Sequence, residues 1–357
     1  MKQFLFLLLI PCLLNAQPVR LAVAGLAHGH NGWILGRPND AVVELVGIWE
    51  PDTKLAARLR DQYHLDPKLF HADLKEMLAT AKPEGVLCYG STDQHLPVVR
   101  VCAPQGVPVM VEKPLAFSVK DAEEIAALST KYHVPILTNF ETAWYPTSDK
   151  SLELTRDTAF MGRIRKVVVH DGHQGPREIN VPDYFFNWLT DPVRNGGGAL
   201  TDFGCYGANL MTALMNGEAP ISVTAITQTL KPAIYPKVDD EATIILTYRS
   251  AQCIIQASWN WPFGRKDMEV YGESGYAITT DAKHMRMKGK VGDERILDLK
   301  PEDTGTFTSP FPYFAGVIRG TITVPEYGYY SIKNNLIVAK ILDAARRSAR
   351  EGKTILL

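Results

Sequence analysis

Short apolar segments alternate with amphipathic segments along the first third of the chain. The apolar segments have the pattern of buried strands, and the amphipathic segments have the spacing of surface helices. We predict strands at 20–25, 42–50, around Phe70, and at 85–89, 108–111 and 135–139, with helices at 54–63, 73–79, 95–103 and 119–132. Strands that alternate with helices form a doubly wound parallel sheet, so the sequence predicts an α/β fold.

The pattern changes after about residue 140, where helices become fewer and alternating apolar and polar positions predominate. Such alternation marks strands with one buried face, here at 165–170, 221–230, 242–248, 251–259 and 268–271. It predicts a second α/β domain with a large open, mostly antiparallel sheet covered on one face by helices. An amphipathic helix at 332–350 closes the chain. The predicted organisation is a first domain at 17–140, a second domain at 141–330, and a C-terminal helix and tail at 331–357.

Residues 1–16 have the pattern of a secretory signal peptide. Lys2 gives the start a positive charge, an apolar run follows from Phe4 to Leu14, and Ala16 ends the segment with a small residue. The run is too short to cross a bilayer, and no other window reaches that length. We expect cleavage after Ala16 and export to the periplasm or the exterior; a buried N-terminal strand or helix is the alternative.

Composition and charge narrow the function further. The 357 residues include 38 Lys and Arg against 39 Asp and Glu, which gives a formal charge of -1, and no long run of like charge occurs. Nothing in this balance favours nucleic acid as a partner. A hydrophobic content of 46% is that of a globular protein rather than of a disordered or fibrous one.

Four cysteines remain after the predicted signal peptide: Cys88, Cys102, Cys205 and Cys253. They fall on four different predicted elements and lack the paired spacing of a zinc site. Export permits disulfides, and Cys88 with Cys102 is the one pair considered. We predict buried free thiols.

A turn rich in small residues follows the first predicted strand: Gly25-Leu26-Ala27-His28-Gly29-His30. Small residues let backbone N–H groups approach a pyrophosphate. Ala27 and His30 stand where the second and third glycines of the G-x-G-x-x-G pattern would be. Glu50 ends the second strand, where a carboxylate accepts hydrogen bonds from a ribose and repels a 2'-phosphate. Since no Arg follows Glu50, these residues predict a site for NAD rather than NADP.

The histidines of this turn raise the alternative of a metal site. His28 and His30, with His95 or with His170 and His173, are of a type that binds zinc. Neighbouring side chains on a turn diverge, however, and no acidic cluster accompanies them in the sequence. We therefore predict no metal, and expect His28 and His30 to line the nucleotide cleft.

Two further motifs carry candidate catalytic groups. Glu112-Lys113-Pro114 follows the strand at 108–111, at the carboxyl end where parallel sheets bind ligands. A glycine-rich segment at 196–198 then leads into a predicted helix on which Asp202, Tyr206 and Asn209 share one face.

Together these segments resemble the Gfo/Idh/MocA family of oxidoreductases. The resemblance covers nearly the whole chain after Ala16, and it rests on the Gly25 turn, Thr92 to His95, Glu112-Lys113-Pro114, Gly196 to Asn209, Met268 to Gly275 and Ser348 to Gly352. It implies a Rossmann domain with bound NAD or NADP, a larger α/β substrate domain, dimers or tetramers formed through the open sheet, and sugars, polyols or glycosides as substrates. Tyr206 stands where many relatives have His, as in the branch of glucose-fructose oxidoreductase and of dihydrodiol or xylose dehydrogenase. The candidate cofactor contacts are Gly25, Leu26, Ala27, His28, Gly29, His30, Glu50, Thr92, His95, Glu112 and Lys113.

The chemistry of these residues supports hydride transfer. Tyr206 is the candidate base, and we expect a neighbouring Lys113 ammonium to lower the pKa of its phenol. Lys113 would also hydrogen-bond the reacting oxygen, while Asp202 holds Lys113 or a substrate hydroxyl in place. The substrate contacts named first are His173 and Trp188; further candidates are Glu141, Trp144, Tyr145, Tyr184 and Arg194.

Three functions remain open. The first is an oxidoreductase that keeps its nucleotide bound and recycles it between two sugars, which suits a compartment without fresh NAD. The second is a redox-neutral glycosidase or lyase, in which transient oxidation of a sugar carbon permits elimination of the glycosidic bond. The third is a non-catalytic sugar-binding protein, which the presence of Lys113, Asp202 and Tyr206 disfavours.

Overall fold

Two β-sheets organise the chain in the computed structural model, which describes residues 17–357. Residues 1–16, which hold the predicted signal peptide, lie outside the described residues, so the signal peptide stays a prediction. Within residues 17–357, no helix is both long and apolar enough to cross a membrane.

Six parallel strands form the first sheet: β1 (Val19–Ala24), β2 (Val43–Trp49), β3 (Phe70–His71), β4 (Gly85–Cys88), β5 (Val109–Glu112) and β6 (Ile136–Asn139). The helices between them are α1 (Gly32–Leu35), α2 (Thr53–Gln62), α3 (Leu74–Ala81), α4 (His95–Cys102) and α5 (Val119–Tyr132). The spatial order β3-β2-β1-β4-β5-β6 confirms the predicted doubly wound sheet. The order reverses next to β1, and the crevice at the carboxyl ends of the strands there is where such sheets bind dinucleotides.

Nine strands form the second sheet: β7 (Ile164–Gly172), β8 (Ser222–Gln228), β9 (Glu241–Thr247), β10 (Gln252–Ser258), β11 (Arg265–Gly272), β12 (Tyr276–Thr279), β13 (His284–Lys288), β14 (Arg295–Asp298) and β15 (Ile355–Leu356). Their order is β14-β13-β12-β11-β7-β10-β9-β8-β15. Among these described strands, β7 and β10 are the one parallel pair. The sheet is therefore mixed and mostly antiparallel, as predicted.

The helices of this half are α6 (Pro146–Arg156), α7 (Asp183–Leu189), α8 (Pro192–Asn195), α9 (Ala199–Asp202), α10 (Gly204–Leu214), α11 (Pro301–Thr304), α12 (Pro310–Ile318) and α13 (Ile332–Glu351). Four of them, α7 to α10, lie between β7 and β8 in the chain. Helix α10 packs closely on the second sheet, since a Cβ added to Gly207 would lie 2.6 Å from the Ile255 side chain. The start of this segment also contacts the first domain, because Lys113 donates to the Asp202 carbonyl at 3.2 Å.

Two late segments pack across the predicted domain limits. Helix α12 lies against the first sheet, where a Cβ on Gly85 would be 2.6 Å from Ile318. Helix α13 contacts both halves, because Arg346 donates to the Phe117 carbonyl and Ser348 accepts from the Ala225 N–H at 2.9 Å. The C-terminal segments therefore join the two domains rather than belonging to one of them.

The predicted helix over Asp202, Tyr206 and Asn209 is interrupted. Phe203 separates α9 from α10, so Asp202 and Tyr206 lie on different helices. Asn209 is fully buried and donates to the Tyr329 carbonyl at 2.8 Å and to Asn334 at 3.0 Å. Its side chain therefore anchors the start of α13.

The cysteines agree with the prediction of free thiols. Cys88, Cys102, Cys205 and Cys253 are buried and unpaired in the structure. Burial raises the pKa of Cys88 to about 12, so this thiol stays protonated.

The start of α9 supports the first testable prediction. A Cβ on Gly198 would lie 1.7 Å from the Asp239 backbone oxygen, which itself accepts from the Ala199 N–H at 3.0 Å. We expect Gly198→Ala to lower the free energy of unfolding by about 1–3 kcal/mol or more, since backbone must move to make room. Chemical denaturation measures this loss, with Gly264→Ala as the control because its Cβ would meet open space. Equal stability of the two variants would contradict the prediction.

Candidate active site

A cavity of about 420 Å³ lies at the carboxyl edge of the first sheet and is lined from both domains. The first domain contributes the nucleotide turn and Lys113, and the second contributes Asp202, Tyr206 and the segment 176–182. This volume lies in the usual range for small-molecule sites. We call this cavity the cleft.

Lys113 and Asp202 form a buried ion pair in the cleft. The Lys113 ammonium donates to the Asp202 carboxylate and, at 3.2 Å, to the Asp202 carbonyl. The second carboxylate oxygen accepts from the Trp259 indole N–H at 3.1 Å. Burial opposes the charge on Lys113, but the Asp202 carboxylate outweighs it and raises the pKa of the ammonium. Both groups are therefore charged, and Asp202 holds Lys113 as predicted from the sequence.

Tyr206 is almost fully buried between two ammonium groups. Its ring centre lies 5.2 Å from Lys113 Nζ and 4.7 Å from Lys266 Nζ. Within residues 17–357 its hydroxyl makes no protein hydrogen bond. Burial, with the carboxylates of Glu141 and Asp171 nearby, raises the pKa of Tyr206 well above its ordinary value. The expectation that Lys113 lowers this pKa is thus wrong for the structure, because the Lys113 charge is compensated by Asp202 and desolvation dominates.

Sequence reasoning missed Lys266, which lies at the start of β11. Its ammonium donates to the Glu141 carboxylate, which also accepts from the Tyr145 hydroxyl at 2.7 Å. Burial opposes the charge on Glu141, yet Lys266 beside it lowers the pKa of Glu141 to about 2. A lysine within an ordinary strand pattern carries no motif, so only the fold reveals its place.

Asp171 is a second residue that sequence reasoning missed. It is the penultimate residue of β7 and lies opposite Lys266 on β11, and neither of its carboxyl oxygens has a hydrogen-bond partner among the described residues. Burial raises the pKa of Asp171 well above its ordinary value, which favours the neutral acid. The side chain borders a cavity of about 10 Å³, which is room for one water molecule.

The nucleotide turn has the geometry expected for a cofactor phosphate site. Gly25 has a φ of +81°, which glycine adopts readily, and its backbone contacts that of Gly90. Leu26 N–H donates to Glu50 at 2.6 Å, so the carboxylate at the end of β2 is tied to the turn. The N–H groups of Ala27 and Gly29 donate to no described residue. They remain available to a phosphate.

Two buried imidazoles beside the turn each leave one nitrogen without a partner. His28 Nδ1 accepts from the His30 N–H at 3.1 Å, and burial lowers the pKa of His28 well below its ordinary value. A neutral His28 therefore carries its proton on Nε2, which is unpartnered. His95 has the opposite tautomer, since Nδ1 bonds the Leu115 carbonyl at 3.1 Å and leaves Nε2 as an unpartnered acceptor. A buried donor and a buried acceptor without partners fit a site completed by a polar cofactor.

Glu112, one of the predicted cofactor contacts, brings an acidic group beside the histidines of the turn, where the sequence analysis expected none. His30 Nδ1 lies 3.1 Å from Glu112 Oε2, and Asn139 donates to Oε1 at 2.7 Å. One potential ligand atom each of His28, His30 and Glu112 lies within 4.8 Å of the others. The His30 and Glu112 atoms already bond each other. Burial lowers the pKa of both histidines, and the nearby Lys113 ammonium lowers it further and disfavours a further cation. We assign no metal ligand here, and the absence of a metal stays a prediction.

The position of Trp188 contradicts the expectation that it contacts the substrate. It is 1% exposed and its indole N–H donates to the Ala27 carbonyl at 2.9 Å, so it supports the nucleotide turn and does not line the cleft. The adjacent Phe185 ring covers Gly29, where a Cβ would be 3.1 Å away. His173 does line the cleft, and burial lowers its pKa to about 4, which keeps it neutral.

The remaining candidates, Thr92, Arg194, Trp144 and Tyr184, do not line the cleft. Thr92 donates to Asn195 at 2.9 Å, and Arg194 donates to Ser91 at 2.7 Å, so both lie where α8 meets the loop after β4. Trp144 packs edge-on against Trp33 at 4.7 Å. Tyr184 lies under the Arg58 guanidinium at 5.5 Å.

Comparison with known proteins agrees with this geometry. The model of an oxidoreductase family with an NAD-binding Rossmann fold, GFO/IDH/MocA, matches residues 19–140, and the GFO/IDH/MocA C-terminal domain matches residues 156–278. The trans-1,2-dihydrobenzene-1,2-diol dehydrogenase of Xenopus tropicalis is 28% identical over 328 residues, which are 86% of this chain and 93% of the relative.

Solved structures share the fold. An inositol dehydrogenase homologue from Azotobacter vinelandii, complexed with NAD+, superposes with a TM-score of 0.81 at 17% identity, covering 96% of this chain and 98% of that one. An aldose-aldose oxidoreductase from Caulobacter crescentus, complexed with glycerol, gives a TM-score of 0.77 at 20% identity, covering 96% and 100%. Both family domains match in sequence order, and the residues around the turn fit a dinucleotide. The chain therefore belongs to the GFO/IDH/MocA family of NAD-dependent oxidoreductases.

Proposed function

We propose that this protein oxidises or reduces a sugar, polyol or glycoside at a hydroxyl or carbonyl carbon. The observation that carries the proposal is the meeting of Lys113, Asp202 and Tyr206 in one cleft beside the nucleotide turn. The names of the relatives, which include a dihydrodiol dehydrogenase, an inositol dehydrogenase homologue and an aldose-aldose oxidoreductase, support a polyhydroxylated substrate.

Lys113, Asp202 and Tyr206 have different roles in moving the proton of the reacting group. Lys113 donates to the reacting oxygen from an ammonium that Asp202 keeps charged and in position. Tyr206 gives the proton when a carbonyl is reduced, because burial keeps its phenol protonated. In the oxidising direction the phenol must lose its proton before it can accept one. Bound NAD supplies the group that accepts or returns the hydride.

Removal of either proton-handling group is expected to stop turnover. Lys113→Met and Tyr206→Phe should each lower kcat by about 100-fold or more, since general acid–base catalysis contributes that much. Absorbance of NADH with a panel of aldoses, polyols and methyl glycosides measures the rate, and NADH fluorescence checks that nucleotide still binds. Lys333→Met and Tyr271→Phe, on surfaces away from the cleft, serve as matched controls. Activity within a few-fold of the parent in either cleft variant would remove these assignments.

The raised pKa of Tyr206 predicts opposite pH profiles for the two directions. Oxidation should accelerate as pH rises from about 6 to about 10, because only the deprotonated phenol accepts a proton. Reduction should stay level over the same range, since the phenol remains protonated. Initial rates in both directions measure this. An oxidation rate that peaks near neutral pH would show that Tyr206 is not the base.

A second candidate function, redox-neutral cleavage of a glycosidic bond, is favoured by the His30–Glu112 pair. Elimination needs a further base, because the C–H beside a transient ketone must lose its proton as the glycosidic C–O bond breaks. His30 lines the cleft, its Nδ1 is held by Glu112, and burial lowers the pKa of His30 so that the ring is neutral. A carboxylate-oriented imidazole is an established arrangement for a base.

Assays with nitrophenyl glycosides distinguish net oxidation from redox-neutral cleavage of the glycosidic bond. If the bond is cleaved, protein loaded with NAD should release nitrophenol without accumulating NADH, and His30→Phe should lose release while NADH formation continues. The exposed His64→Phe serves as the control. Accumulation of NADH without nitrophenol would leave net oxidation as the function.

Export and assembly complete the proposal. A protein exported to the periplasm or exterior has no supply of fresh NAD, so tight retention and internal recycling of the nucleotide fit that location. We also propose a homo-oligomer, dimeric or tetrameric, formed through the open sheet, as the family resemblance implies.

A further inference from the structure

We propose that Arg194 of the second domain completes the cofactor site by binding the pyrophosphate of the dinucleotide. The inference rests on the NAD-dependent function proposed above and adds a ligand contributed by a distant part of the chain. The residues of the nucleotide turn do not by themselves predict a contact between an arginine and the pyrophosphate.

Arg194 lies along the path that a dinucleotide takes across the first sheet. Its guanidinium donates to Ser91 Oγ at 2.7 Å, in the loop after β4, and lies 3.5 Å from the Asp93 carboxylate. Burial raises the pKa of Glu50, which follows β2. Arg194 is close enough for its charge to oppose this effect and to favour the ionised carboxylate. Strand β1 lies between β2 and β4. The guanidinium is therefore near the carboxyl end of β1, where the pyrophosphate crosses.

The nucleotide turn supplies little positive charge of its own. Helix α1 has four residues, so it contributes a small helix dipole, and Ala27 and His30 replace two of the usual glycines. The two ammonium groups of the cleft are already paired, Lys113 with Asp202 and Lys266 with Glu141. A pyrophosphate carries two negative charges, which none of these groups is free to balance.

Arg194 can balance this charge because part of its guanidinium is still free to donate hydrogen bonds. Its side chain is 40% exposed, and one terminal nitrogen, Nη1, donates to no described residue. A planar guanidinium binds phosphate oxygens through two parallel N–H groups. Its neighbour Asn195 accepts from Thr92 at 2.9 Å. Helix α8 is therefore docked on the loop after β4 and holds Arg194 near the carboxyl end of β1.

The test is a titration of the whole mature protein, stripped of nucleotide, with NADH and, separately, with NADPH. Arg194→Gln should weaken NADH binding by about 10- to 100-fold, the usual effect of losing a charged hydrogen bond, and Arg194→Lys should restore part of the loss. Val193→Ala, an exposed neighbour on the same helix, should bind as the parent does. Thermal unfolding of each variant confirms that the protein is folded.

Asp93→Asn separates a phosphate ligand from a merely structural contact. This change releases Arg194 from its carboxylate but keeps the guanidinium, so we expect NADH to bind equally or more tightly. If Arg194 only held the domains together through Asp93, Asp93→Asn would weaken NADH binding as Arg194→Gln does, and the proposal would be overturned.

Three other results also decide the matter. Unchanged NADH binding in Arg194→Gln would make Arg194 a surface ion pair only, with the proposed function intact. A loss confined to NADPH would move Arg194 to the 2'-phosphate and overturn the assignment to the pyrophosphate. A parent protein that binds neither nucleotide would defeat the proposed function itself.

Discussion

The ion pair between Lys113 and Asp202 is the contact on which the rest of the cleft depends. Lys113 follows the last residue of β5 in the first domain, and Asp202 ends α9 in the second. Both are buried, and a buried charge without its partner costs about 3–5 kcal/mol. The domains are therefore held in the relative position in which Tyr206 and the nucleotide turn line one cavity.

The charge balance of the cleft also limits its substrate. Each of the two lysines is paired with a carboxylate, and burial raises the pKa of Asp171 and so favours its neutral form. Within the described part of the cleft no ammonium is left to bind an anionic substrate. Hydroxyl groups, by contrast, can both donate to and accept from the neutral His173 and the phenol of Tyr206. A neutral, polyhydroxylated substrate fits this environment best.

Much of the fold and the central groups of the site could be predicted because they depend on local pattern. The predicted strand at 85–89 is β4 at Gly85–Cys88, and the motif that ends β5 places Lys113 at the cleft. Other groups could not be found in this way. Lys266 and Asp171 face each other because β11 pairs with β7 in one register, and that pairing joins segments that are distant in the chain.

The amino-acid sequence was enough to predict the alternation of strands and helices, the nucleotide turn, and Lys113, Asp202 and Tyr206 as site residues. These features follow from periodicity and from neighbours along the chain. The folded structure was needed to show that Trp188 supports the turn, that Arg194 approaches Glu50, and that the phenol of Tyr206 stays protonated. A pKa depends on desolvation and on charges contributed by distant segments, so it is a property of the assembled cleft rather than of any motif.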